Sequence, residues 1–219
     1  MREAANSLKR GAAALLLVSA LCGATGRCQS TQWWPEVDLS LTSKRANLLI
    51  PSLARFDSNL PNPQFVATGA IGTLRLNRRW SLSAGYLFAD LPQHDQVAHV
   101  PLAALTPSWT YRHWTFSDIN RFERLLAYSN QPYRYRNRAA ADYAFGRRHT
   151  RHLYASNEFF VNLSEKSWNQ NRAQVGIGIL AGHNTRFDAY FLQRSAPGAK
   201  ETSVVGTILT VFIHKENVR

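Results

Sequence analysis

From Val37 onward, apolar and polar residues alternate with period two, segment after segment. Val37, Leu39 and Leu41 alternate with Glu36, Asp38, Ser40 and Thr42. Trp80, Leu82, Ala84, Tyr86 and Phe88 alternate with Ser81, Ser83 and Gly85. Ala173, Val175, Ile177 and Ile179 alternate with Arg172, Gln174, Gly176 and Gly178, and Phe187, Ala189 and Phe191 with Arg186, Asp188 and Tyr190. Side chains of a strand point alternately to its two faces, so this pattern specifies strands with one apolar and one polar face. No amphipathic-helix pattern competes with it.

The alternation predicts about eleven strands. They fall near 35–42, 46–56, 65–76, 80–89, 99–111, 114–126, 134–145, 149–161, 168–180, 185–194 and 202–213. Most run roughly 9–12 residues, the length that crosses a bilayer at a tilt, whereas strands of soluble proteins average about 5–6. The links follow a second pattern. Short polar turns at 43–45, 77–79, 112–113, 146–148 and 181–184 alternate with longer links at 57–64, 90–98, 127–133, 162–167 and 195–201. Tight turns at one end and longer loops at the other belong to outer-membrane barrels. The fold expected is all-β, a single antiparallel up-and-down transmembrane β-barrel of about 10–12 strands. An odd count of eleven departs from the even numbers of bacterial single-chain barrels. The chain also ends on His214-Lys215-Glu216-Asn217-Val218-Arg219 rather than on an aromatic residue.

The first residues read as an export signal. Arg2, Lys9 and Arg10 form a basic start, Ala12 to Leu21 a short apolar run, and Gly23, Ala24 and Gly26 a small-residue cleavage region. The run is shorter than the roughly 20 residues a spanning helix needs. We divide the chain into a signal peptide over 1–24, with cleavage as late as 28, and a barrel domain over 25–219. The barrel is expected in the bacterial outer membrane, with the periplasm as the alternative. Outer-membrane lipids and the barrel-assembly machinery are the partners this implies.

The polar faces decide which side is inside. Arginine outnumbers lysine 21 to 5. Arg134, Arg136, Arg138 and Asp142 share one strand face, with Arg121 and Glu123 on the preceding strand, Glu158 on the next and Arg172 beyond. Guanidinium forks suit multidentate pairing in a confined polar space. These eight residues are therefore expected in the lumen, as a paired network and a candidate site for a small anionic solute. Small barrels are usually filled by their own side chains, so a structural salt-bridge network is the competing reading. The net charge of +12 also suits phosphate, but no nucleic-acid-binding motif occurs and no nucleic-acid partner is expected. Trp33, Trp34, Trp80, Trp109, Trp114 and Trp168 mostly lie near predicted strand ends, as in interfacial girdles.

The second half resembles a known bacterial group. The residues that carry the likeness are Phe122-Glu123-Arg124, Tyr135-Arg136-Asn137-Arg138, Asp142-Tyr143, Asn157-Glu158-Phe159-Phe160 and Trp168-Asn169-Gln170-Asn171-Arg172. With Trp34-Pro35-Glu36-Val37 and Arg55, they resemble domain-of-unknown-function family 2490 (DUF2490), whose members look like small exported β-barrels. The resemblance implies architecture and location, and brings no activity.

No nucleophile elbow, zincin helix, phosphate loop or dinucleotide fingerprint occurs. His94 and His99 share a predicted loop with Asp95, which reads as a solvated loop before a metal site. His149 and His152 flank Arg151 beside a turn. Ser156, Glu158 and His152 supply the residue types of a triad. His152 would lie roughly 13 Å from Ser156 along the strand, beyond hydrogen-bond reach. Neither a catalytic residue nor a metal or cofactor is assigned, and the chain is expected not to be an enzyme. A role in structure or in binding or passing a small solute is favoured. The alternatives are a lipid-modifying barrel enzyme, or a soluble periplasmic barrel with its apolar faces turned inward around an apolar ligand.

Overall fold

A computed structural model describes residues 30–57, 62–92, 95–126, 132–146 and 149–214. The export signal and His94 lie outside these residues. All eleven expected strands are present: β1 (Ser30–Thr42), β2 (Ala46–Asp57), β3 (Phe65–Arg75), β4 (Trp80–Leu91), β5 (Gln96–Tyr111), β6 (Trp114–Arg124), β7 (Tyr133–Phe145), β8 (Arg151–Asn162), β9 (Ser167–Ala181), β10 (Thr185–Ser195) and β11 (Thr202–His214). Each pairs with its chain neighbours, and β1 pairs with β11 to close the barrel.

The barrel is antiparallel, as expected, except at its closure. Ten hairpins reverse the chain ten times, so the first and last of eleven strands run the same way. The β1–β11 pair is accordingly parallel, with Ser30 opposite Thr202 and Thr42 opposite His214. A parallel pair is slightly weaker per residue than an antiparallel one. Here it extends over thirteen residue pairs and leaves no sheet edge to pair with another chain.

β1 and β5 begin earlier than the alternation predicts, and the link between β4 and β5 shrinks to 92–95. Proline explains the first shift. Pro35 lacks an N–H, and the β1–β2 ladder skips from Trp33 to Glu36. The same device recurs at Pro51, where the β2–β3 ladder skips from Leu49 to Ser52, and at Pro107, where β5–β6 skips from Leu105 to Ser108. Proline usually sits on edge strands. A closed barrel has none, so each proline opens a local gap without shifting the register.

One row of directly opposed residues defines the barrel's geometry. It runs Thr110, Thr115, Asp142, Tyr154, Gly176, Tyr190, Gly206 and Trp34 across β5 to β1. It continues opposite Arg55 and Phe65 to Leu91, and returns to β5 at Gln96, fourteen residues from its start. With strands ~4.8 Å apart and residues ~3.3 Å apart, that stagger gives a tilt of about 41° and a radius of about 11 Å.

In the middle of the row, large rings alternate with glycines. Tyr154 lies across Gly176 and Tyr190 across Gly206, and a Cβ at either glycine would run into the ring. The rings pack with Trp34, Leu192 and Val204 into one inner cluster. Trp34 thus points inward and is buried, unlike the other five tryptophans. Trp34 therefore departs from the girdle placement expected of a Trp near a strand end.

The outer face carries Val37, Leu82, Ile177, Ile179, Phe187 and Leu209, all exposed. Aromatic residues gather toward both ends. Trp109 and Trp114 stack on Phe116 near the short-turn end, and Trp33 stacks on Phe56 near the other. The outer face also carries polar side chains, among them a group on β6 to β9. There Asn137 Nδ2 donates to Asp118 Oδ1 at 2.6 Å, and Asn157 and Asn171 exchange amide bonds at 3.0 and 3.2 Å.

Candidate functional site

The inner face encloses a cavity of about 1440 Å³. All eight residues singled out from the sequence line it. Alternation places them there: Arg134, Arg136 and Arg138 share an inward face of β7, while Tyr135 and Asn137 between them face out. Register then brings the strands together. Arg134 opposes Glu123, Arg136 opposes Arg121 on one side and Phe160 on the other, and Arg138 opposes Glu158. Glu158 opposes Arg172, which opposes Arg194.

Six of the eight form one ionic network. The Glu123 carboxylate is fully buried and meets Arg121 at 3.6 Å, Arg136 at 2.8 Å, and Arg134 through an Nε–Oε2 bond of 2.6 Å. Arg136 also donates to Glu158 Oε1 at 2.7 Å, and Arg172 approaches Glu158 Oε2 at 3.5 Å. Four guanidinia therefore share two carboxylates. The buried Phe160 ring supports this excess of positive charge. Arg134, Arg136 and Arg172 lie over it at 5.4, 4.7 and 4.5 Å, a distance at which the ring quadrupole attracts a cation. With the Gln170 amide oxygen turned toward the arginines, Oε1 accepts from Arg172 Nε at 2.7 Å and Arg194 Nε at 3.0 Å.

The other two residues stand apart from that network. Asp142 pairs with His152 Nδ1 at 2.9 Å near the short-turn end. Arg138 has no carboxylate within 4.0 Å among the described residues, and its buried Nε has no hydrogen-bond partner.

The lumen also contains charged groups beyond these eight. Arg55 lies between two rings, 4.2 Å from Trp34 and 4.2 Å from Phe65, and its Nε likewise has no partner. Arg186 forms a two-pronged pair with Asp188, at 2.6 Å from Nη2 and 2.8 Å from Nε. Arg194, Glu36 and Asp38 also line the cavity. The signal for these residues was already in the alternation, which sets Glu36, Asp38, Arg186 and Asp188 on polar faces. Sequence spacing could not show that β1 and β10 lie one strand apart across the closure.

The wall is not uniformly polar. β2 to β5 turn Leu53, Phe65, Leu87, Ala89 and Val100 inward, where with Ala67, Ala98 and Leu125 they form a second apolar cluster. The lumen thus has an arginine wall on β6 to β10 and an apolar wall on β2 to β5.

His113 and His149 lie at turns, as expected, whereas His99 and His152 lie within strands. His99 lies within β5, not in a loop, and its Nδ1 contacts the Tyr86 hydroxyl on the outer face. His113 and His149 face each other with ring centres 4.9 Å apart. His152 is a lumen residue rather than a turn residue. Ser156 Oγ donates to Gln174 Oε1 at 3.4 Å, while His152 is engaged by Asp142. Among the described residues, no three His, Cys, Asp or Glu side chains gather as a metal site requires.

The chain belongs to the family described as protein of unknown function DUF2490, whose model matches residues 32–204. The match runs from the start of β1 into β11, so it includes both the arginine wall and the apolar wall. No curated protein matches the chain.

Proposed function

We propose that this is an exported outer-membrane barrel whose arginine-rich lumen binds or passes a small anionic solute. The observation that carries the reading is the charge of the lumen. Eight arginines line it against six carboxylates, and among the described residues Arg55 and Arg138 have no carboxylate within 4.0 Å. A buried guanidinium without a counter-charge is costly, and a visiting anion would supply the missing charge.

The exterior supports the membrane location. A twelve-residue strand such as β2 rises about 30 Å along the barrel axis at that tilt, enough for the ~25 Å apolar band of such barrels. Aromatic residues flank the apolar outer face at both ends, as at membrane interfaces. A soluble barrel would turn Val175 and Phe187 inward. Instead their neighbours Gln174 and Asp188 line the lumen, and Phe187 is exposed outside. Export by residues 1–24, contact with outer-membrane lipids and insertion by the barrel-assembly machinery follow from the same reading.

Cell fractionation, with the outer-membrane pellet run on a gel with and without boiling, tests the location. A heat-dependent mobility shift is expected in that pellet. A periplasmic protein with no shift would refute it. Phosphate titration of the folded barrel tests the lumen, and no detectable binding by wild type would end the anion reading.

A further inference from the structure

The two walls of the lumen meet at Arg55. On one side its guanidinium lies over Trp34, and Trp34 also lies 5.2 Å below Arg172 of the arginine wall. On the other side it lies over Phe65, which packs against the apolar cluster. Arg55, with no carboxylate within 4.0 Å among the described residues, thus stands at the boundary between the two surfaces.

We propose that the lumen takes an amphiphilic anion, a carboxylate or phosphate head carrying a single alkyl chain. The head pairs with Arg55, with Arg194 and Arg172 on the arginine side, and the chain lies along Leu53, Leu87, Ala89 and Val100. This rests on the anion reading above and adds a tail to it. A purely polar solute would leave the inward-facing leucines of β2 to β5 in water. A purely apolar one would leave the unpartnered Arg55 Nε as it is. An amphiphile satisfies both, because removing alkyl surface from water and pairing a buried cation are each favourable. The inner alanines contribute by size. Ala67, Ala89 and Ala98 keep the apolar wall thin where larger side chains would fill the lumen.

The test is calorimetry on the full barrel in nanodiscs of zwitterionic phosphatidylcholine. The probes are inorganic phosphate, then ethyl, butyl, hexyl and octyl phosphate, with octanoate and octanol as controls, each measured against empty nanodiscs. In wild type, affinity should rise by about two- to fourfold per methylene, from the transfer free energy of a CH₂ group. Octanol should bind far more weakly than octyl phosphate. Octanoate tests the alternative head, and the tighter of the two anions identifies the head the site prefers. Ala89→Trp should flatten the chain-length dependence. Arg55→Gln should lower the affinity for every anion by the same factor, tenfold or more. If inorganic phosphate binds and chain length adds nothing above empty nanodiscs, the amphiphile is refuted while the anion reading stands. If no anion binds at all, both fail. The wild-type series alone decides the matter should either variant fail to fold.

Discussion

Arg136 Nη2 donates to Glu158 Oε1 at 2.7 Å, and through its other terminal nitrogen the same guanidinium holds the fully buried Glu123. One arginine therefore ties together the carboxylates of β6 and β8. Glu158→Gln would leave Arg136 and Arg172 short of counter-charge beside Phe160. Breaking a buried pair by removing one partner costs about 3–5 kcal/mol, and the 12% exposure of the Glu158 side chain places this case at the lower end. Urea unfolding of the refolded barrel should show that loss. A double variant, Glu158→Leu with Arg136→Met, should recover only the part due to Arg136, since Arg172 stays without its carboxylate. An unchanged midpoint in the single variant would mean the network contributes nothing.

Val175 and Gln174 are chain neighbours on opposite faces, with Gln174 in the lumen and Val175 outside. In the membrane reading, Val175→Arg places a charge against lipid near mid-height and should cost about 2–4 kcal/mol. Gln174→Arg adds the same charge to a polar cavity and should assemble normally. Equal assembly yields for the two variants would show that the outer face does not meet lipid.

Tyr190 occupies the space where a Cβ of Gly206 would stand, and Tyr154 does the same at Gly176. Elsewhere in a strand, replacing glycine by alanine removes chain entropy from the unfolded state and tends to stabilise. At these two glycines the added methyl must displace a ring, and overpacking costs about 1–3 kcal/mol. Gly206→Ala and Gly176→Ala should therefore lower the unfolding midpoint. Gly72→Ala, whose Cβ would meet Ala84 O at an ordinary 3.7 Å, should not. The reverse ranking would dismiss the ring-on-glycine packing as a stabilising feature.

Arg138 lines the lumen with no carboxylate within 4.0 Å among the described residues, and its Nε has no hydrogen bond. Arg138→Ala should leave the unfolding midpoint nearly unchanged, since it breaks no ion pair. It should lower phosphate affinity several-fold by removing a free cation. A strong fall in stability with unchanged phosphate affinity would assign Arg138 to the scaffold instead.

The strand count, and which side chains share a face, were legible in the sequence because both are local. A period of two sorts Val175 from Gln174 and Phe187 from Asp188 whatever the strand pairs with. The eight candidate lumen residues were found this way, and all eight line the cavity. The start of β1 was not legible, because Pro35 interrupts the alternation although the backbone stays extended through it. β5 begins at Gln96, three residues before its predicted start at His99, because a strand can extend beyond its clear alternation.

The tertiary structure alone decided what depends on closure. Pairing across the seam places Trp34 opposite Gly206, and the β1–β2 register then sets Arg55 opposite Trp34, within cation–π distance. The fourteen-residue stagger sets the lumen width, and with it the space that neither wall fills. Partner choice was also decided there. Asp142 shares a face with Arg138, yet it pairs with His152, which stands opposite Ala144. Residues four apart on a strand lie roughly 13 Å apart, whereas diagonal cross-strand neighbours lie about 7–8 Å apart. Side-chain alternation belongs to the chain itself. Neighbourhood in a barrel belongs to the register, which no single strand contains.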